Sequence, residues 1–156
     1  MSHLHNPFRY DYVGSFLRPE NLKQARRAFD EGKIDYAKLK EVEDQAITDL
    51  ITKVKSLGYH VITDGEFRRA TWHLDFMWGL DGVGHVKTKT GLPFHGEAAM
   101  IDDTYLVGKI GLSKEHPFVE HFRFVKQFED ENTVAKQTIP APAQVLAQFT
   151  MPFNRE

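Results

Sequence analysis

The sequence predicts an α/β fold built on parallel strands, and three observations carry that expectation. Short β-branched or aromatic runs alternate with longer helix-prone segments, the order expected of βαβ units. One of those segments repeats Leu39, Val42, Ala46, Ile47, Leu50, Ile51 and Val54 at helical spacing over about six turns, then reaches Gly58 and the strand-like run His60–Thr63. The residues with chemistry in them, Gly14-Ser15, Asp64-Gly65-Glu66 and Pro140 with its neighbours, all fall just after predicted strands.

Residues 1–9 read as a loose polar lead, and residues 10–156 as one domain. Tyr10–Val13 is a strand candidate closed by Gly14-Ser15. Pro19 suits a first helical turn, where a missing N–H is harmless, and Gly32 ends the helix that Glu20–Phe29 predicts. Asp35 is a natural N-cap for the long amphipathic helix. The aromatic stretch Thr71–Leu80 predicts a short helix or folded loop, and an insertion at about 81–104 predicts a hairpin-like excursion. Tyr105–Ile110 is the next strand, Ser113 a cap for a helix from His116 to Phe128, and Thr133–Ile139 the fourth strand. After Pro140-Ala141-Pro142, Ala143–Phe149 begins another helix.

Within this order Val61-Ile62-Thr63-Asp64-Gly65-Glu66-Phe67-Arg68-Arg69 is the densest signal. Four charges directly past a buried strand are costly unless they bind one another or a ligand. Gly65 lets the backbone turn sharply between the two acids. A ligand-binding strand end and a structural Asp–Arg pair both fit these residues.

Composition narrows the function. The formal net charge of −2, without a basic block, implies no bulk attraction to nucleic acid or anionic lipid. No cysteine is present, so the chain holds neither disulfide nor thiolate metal site. With no membrane span of about 20 apolar residues and no signal-peptide core, a cytoplasmic protein is expected. His3-x-His5 reads as a solvated tail. His116 and His121, five apart on a predicted helix, make a poor metal pair. No phosphate loop or Ser–His–Asp set is visible.

Strand-end chemistry repeated along a βα order is the pattern of a (β/α)8 TIM barrel, whose sites share the C-terminal face. Such barrels take roughly 250 residues, so the chain is expected to supply about four of the eight units, an incomplete barrel. An open flavodoxin-like sheet fits the spacing less well.

Val13-Gly14-Ser15-Phe16-Leu17-Arg18-Pro19, the Ile62–Arg69 block, Trp72-His73-Leu74-Asp75-Phe76 and Thr138-Ile139-Pro140-Ala141-Pro142 together resemble the cobalamin-independent methionine synthase family. The closer likeness is to short bacterial proteins similar to its C-terminal catalytic domain, over about Tyr12–Phe149. The resemblance implies a zinc-dependent methyltransferase on a TIM barrel, moving a methyl group from methyl-folate to the thiol of homocysteine in methionine biosynthesis. It implies substrate-binding roles for Val13, Gly14 and Ser15, in the place of the family's Ile-Gly-Ser strand end, and for Glu66, in the place of the glutamate that holds the substrate ammonium. Asp64 stands where the family carries histidine, which leaves the folate side open.

Family zinc ligands come from the second half of the barrel and include two cysteines. The resemblance therefore implies an N-terminal half, truncated or separately encoded, that alone neither binds catalytic zinc nor transfers a methyl group. It is expected to pair with itself or with a complementary C-terminal half, because unpaired strand edges invite partners. Alkyl transfer to another thiol such as coenzyme M, and a non-catalytic binding or assembly module, are the alternatives. Ser15 fits a turn or a ligand contact. Asp64 fits substrate binding or pairing with Arg68 or Arg69. Arg18 fits an anion contact or a surface helix start, and the aromatics Trp72–Trp78 a pocket wall or local core.

Overall fold

The computed structural model describes residues 12–86, 92–94, 97–99 and 103–150. In chain order its elements are α1 (Glu20–Asp30), α2 (Tyr36–Ser56), β1 (Val61–Ile62), α3 (Leu74–Trp78), β2 (Asp81–Val86), β3 (Leu92–Phe94), β4 (Glu97–Ala99), β5 (Asp103–Gly111), α4 (Pro117–Lys126), β6 (Val134–Ala135) and α5 (Pro142–Thr150). They divide into two compact units, Met1–Arg69 with Val119–Thr138, and Ala70–Phe118 with Ile139–Glu156.

In the first unit the Asp35 carboxylate accepts the Lys38 amide at 2.8 Å and starts α2. The helix turns Leu39, Ala46, Ile47, Ile51 and Val54 inward. Ala46, Ile47, Ile51 and Val54 pack with Leu22 of α1, Ile62 of β1, Phe67 and Val125 into one core. Burial of such side chains stabilises by roughly 1.5–3 kcal/mol each. One buried position on that face of α2, Glu43, is charged. β1 pairs with β6 in parallel, Val61 opposite Val134 and Ile62 opposite Ala135. Bonds from Val134 N to His60 O and from Lys136 N to Ile62 O, each 2.8 Å, extend the ladder.

In the second unit α3 occupies the aromatic stretch. The Asp75 carboxylate braces its start by accepting the Ala70 amide at 2.9 Å and the Thr71 amide at 2.7 Å. β2 pairs with β5 antiparallel, Gly84 opposite Tyr105, and β3 with β4 likewise. Gly82, at φ +78° beside the register shift between Asp81 and Val83, has no room for a side chain: a Cβ there would lie 2.4 Å from the Lys109 carbonyl oxygen. At the start of α4, His116 Nδ1 accepts the Phe118 amide at 3.2 Å, while its Nε2 lies 2.9 Å from the Phe76 carbonyl oxygen. One neutral tautomer, protonated at Nε2, satisfies both.

The result is a mixed α/β fold, and it corrects the strand count expected above. Tyr105–Ile110 belongs to an antiparallel ribbon with the excursion and adds nothing to the parallel sheet. Alternating residues satisfy either pairing equally, so the period of two carries no direction. Of the expected Tyr10–Val13 strand, Tyr12 and Val13 take no strand assignment, and Tyr10 and Asp11 lie outside the described residues. Among the described residues the parallel sheet has two strands and no barrel closes. Ser113 supports a turn by accepting the Glu115 amide, and the cap expected of it falls to His116. The His3-x-His5 pair lies outside the described residues. No described helix is long and apolar enough to cross a membrane.

Candidate functional site

The chain leaves β1 through a tight polar turn. Phe67 N bonds to Asp64 O at 3.2 Å, and Gly65 and Glu66 between them take φ +64° and +59°. Positive φ at both central positions is the signature of a type I′ turn. It suits Gly65 and strains Glu66, the one described residue other than glycine with positive φ. Two side chains hold the turn: Thr63 Oγ1 accepts the Gly65 amide at 3.1 Å, and Asp64 Oδ1 accepts the Glu66 amide at 2.9 Å. A Cβ at Gly65 would sit 2.4 Å from the Leu50 side chain.

The strain presents the Glu66 carboxylate to the chain on either side. Its Oε1 accepts from Arg69 Nη1 at 3.1 Å and from the Thr138 hydroxyl at 2.9 Å. A Cβ on Gly14 would lie 3.0 Å from Thr138 Cγ2 and 3.2 Å from that same Oε1. Gly14, Glu66 and Thr138 therefore meet at one point, drawn from the segment before α1, the turn after β1 and the segment after β6. Glu66 Oε2 has no hydrogen-bond partner among the described residues. Asp64 is 3% exposed, and its Oδ2 is buried with no partner among them. An orphaned buried carboxylate oxygen is costly and calls for a donor.

The other expected site residues fall around this point in different ways. Gly14 is buried, whereas Ser15 and Val13 are exposed, Val13 at 88%. Phe16 N bonds to Gly65 O at 3.1 Å and ties that segment to the turn. The Arg18 guanidinium donates to the carbonyls of Glu66 at 2.8 Å and Arg69 at 2.5 Å, so it clamps the turn's backbone. Arg68 leaves the site altogether and binds Glu43 and Asp44 of α2. Sequence reasoning missed Arg69 as the partner of Glu66, and Thr138 as its second anchor. The quoted Thr138–Pro142 motif contained the latter, but nothing in it singles out a hydroxyl three residues past β6.

Burial raises the Glu43 carboxyl above its ordinary range, with Arg26 and Arg68 pulling against it. At Asp44 burial pushes upward too, but hydrogen bonds from Arg68 and Lys40 outweigh it and the net direction is down. In the second unit, burial lowers His73 against the opposing pull of Asp75. There Trp72, 52% exposed, lies against His73 with ring centroids 4.3 Å apart, and Trp78 stacks on His85 at 4.1 Å.

A separate cavity of about 130 Å³ in the first unit is lined by Tyr36, Lys40, Arg68, Glu120, His121 and Phe124 among others. It is smaller than the roughly 300 Å³ at which ligand clefts begin. Among the described residues no group of three His, Cys, Asp or Glu side chains can hold a metal. With Arg69 bound to Glu66, and no cysteine anywhere in the chain, the residues present do not fit a zinc site of histidine, glutamate and thiolates.

No family model matches the chain. Two uncharacterized proteins of Bacillus subtilis, YxjH and YxjG, are 38% and 39% identical to it over 136 residues. Each match covers 87% of this chain but 36% and 35% of the relatives, so the chain spans about a third of the length of the curated relatives it matches. A Listeria monocytogenes protein provisionally assigned as a vitamin-B12-independent methionine synthase superposes with TM-score 0.75 and 38% identity, over 92% of this chain and 39% of that one. A B12-independent methionine synthase from Shewanella, solved with selenomethionine, superposes with TM-score 0.56 and 18% identity over 80% and 35%, a likeness of fold alone. The structural neighbours are thus B12-independent methionine-synthase-like proteins, of a methyltransferase type, in agreement with the resemblance its motifs carry.

Proposed function

We propose that the turn after β1 binds the ammonium group of an amino-acid thiol, with homocysteine the expected member of that class. The longer protein of this type would then methylate the thiol in methionine biosynthesis. The observation that carries the reading is the state of the two carboxylates. Glu66 Oε2 and Asp64 Oδ2 both lack partners among the described residues, at a turn that spends backbone strain to place them. A cationic donor stabilises such oxygens through charge-assisted hydrogen bonds. Gly14 lets Thr138 and Glu66 Oε1 approach the backbone beside it, and the exposed Ser15 next to it offers a hydroxyl and an amide to a substrate carboxylate.

Binding the ammonium group requires neither zinc nor methyl-folate, and the described residues do not fit a zinc site. The rest of the longer protein of this type would supply the thiol chemistry. Coenzyme M carries no ammonium, so the same carboxylates argue against it as the thiol.

Titration calorimetry of the chain with L-homocysteine and with 4-mercaptobutanoate, which differs in lacking the amine, tests the reading. L-Homocysteine is expected to bind at least about tenfold tighter, the worth of one hydrogen bond to a charged group. Glu66→Gln is expected to remove most of that difference. Equal affinities in the unaltered chain would overturn the proposal, as would tighter binding of coenzyme M than of L-homocysteine.

A further inference from the structure

We infer that Arg69 and Thr138 form a latch that positions Glu66, fixing one carboxylate oxygen so that the other is offered to the ligand. The inference rests on the ammonium-binding reading and names residues that the family motifs do not assign. Three hydrogen bonds close a ring. Arg69 Nη1 donates to Glu66 Oε1 at 3.1 Å, Arg69 Nη2 to Thr138 Oγ1 at 2.9 Å, and the Thr138 hydroxyl to the same Oε1 at 2.9 Å. Arg69 Nη2 also donates to the Thr138 carbonyl at 2.6 Å, so the guanidinium is fixed to the backbone past β6 as well as to the side chain.

Direction makes the ring specific. A hydroxyl has one hydrogen, and because the arginine can only donate, the Thr138 hydrogen goes to Glu66. Arg69 is 2% exposed, and in such a site hydrogen bonds gain strength from the low local dielectric. Thr138 is β-branched and stiff at χ1, and its Cγ2 lies against Gly14 at the distance a Cβ there would find tight. Its Oγ1 and Glu66 Oε1 each lie 3.2 Å from that same Cβ position, so the absence of a side chain at Gly14 is what lets the three atoms share one space. With both donors on Oε1, Oε2 keeps no internal partner among the described residues. Arg69 and Thr138 are positioning residues, since neither is offered to the ligand.

Thr138→Val keeps the shape and Cγ2 but removes the hydroxyl. It is expected to weaken L-homocysteine by about tenfold and leave 4-mercaptobutanoate unchanged. Thr138→Ser, which restores the hydroxyl, is expected to recover most of the loss. A structural role would weaken both ligands together and would not be rescued selectively. If Thr138→Val does not fold, Thr138→Ala against Thr138→Ser makes the same comparison. In combination with Glu66→Gln the valine variant is expected to cost nothing further. Thr138→Val with wild-type discrimination, or with equal losses on both ligands, overturns the latch. Glu66→Gln separates the two claims: if it retains the discrimination the ammonium reading fails as well, and if it abolishes discrimination while Thr138→Val keeps it, the latch alone fails.

Discussion

Arg68 and Arg69 are adjacent in the chain and nearly sealed from solvent, with side chains 4% and 2% exposed, yet they serve different ends. Arg68 binds Glu43 and Asp44 and so joins the turn to α2. Both Glu43 oxygens are taken, Oε1 by Arg26 at 2.9 Å and Oε2 by Arg68 at 3.1 Å. Arg69 binds a carboxylate of which only one oxygen is taken. A structural ion pair and a poised one differ in the free acceptor left on the carboxylate. In a brace each carboxylate oxygen finds a donor within the fold, whereas a binding site is left short of one.

Removing the acid on each side is expected to have the largest effect. Glu43→Ala removes the carboxylate shared by two arginines, one of them buried, and is expected to cost about 3–5 kcal/mol, as for other broken buried pairs. Glu66→Gln keeps an amide oxygen for both donors and is expected to cost about 1–2 kcal/mol. Urea denaturation of the two variants checks the order. Equal losses would mean that Glu66 is as much a brace as Glu43.

A smaller effect separates turn strain from crowding. Gly65→Ala meets both a positive φ and the Leu50 side chain at 2.4 Å, whereas Gly58→Ala, at φ +82°, meets nothing within 4 Å. About 2–3 kcal/mol is expected for the first and about 1 kcal/mol for the second, read from their melting midpoints. The gap between them measures how tightly the site turn is pressed onto α2.

The smallest effect is in pH. Asp130 is lowered to about 2, first by its hydrogen bond from Lys55 and then by those from Asn132 N and Thr133. Its contribution is complete above the ordinary Asp range and is lost as pH falls toward 2. Glu43 is raised, so its contribution is complete below the ordinary Glu range and declines as pH rises through its folded value. Lys55→Met is therefore expected to weaken the fold only above the acid limb. Glu43→Gln should flatten the fall on the rising side. Denaturation midpoints from pH 2 to 7 distinguish the two slopes.

Local signals made much of the first unit legible. The stripe of α2 and its Asp35 cap, the Gly32 stop of α1 and the glycine turn after β1 follow from spacing and residue type. What stayed hidden depended on partners distant in sequence. Glu43 sits within an apolar stripe as its exception, and only the position of Arg26 and Arg68 explains why a charge is tolerated there. Arg69 was visible as a charge near two acids, but a choice among neighbours needs the turn's geometry. Thr138 lies 72 residues from Glu66 and carries no motif that marks it as an anchor. The β5 ribbon misled because alternation does not encode strand direction.

The most direct test of the central claim, that the Glu66 turn holds an ammonium group, is the affinity ratio of L-homocysteine to 4-mercaptobutanoate, measured by calorimetry in the unaltered chain and in Glu66→Gln. A ratio of about ten or more that collapses toward one in the variant is the expected result. A ratio near one in the unaltered chain, or one that Glu66→Gln leaves intact, would contradict it.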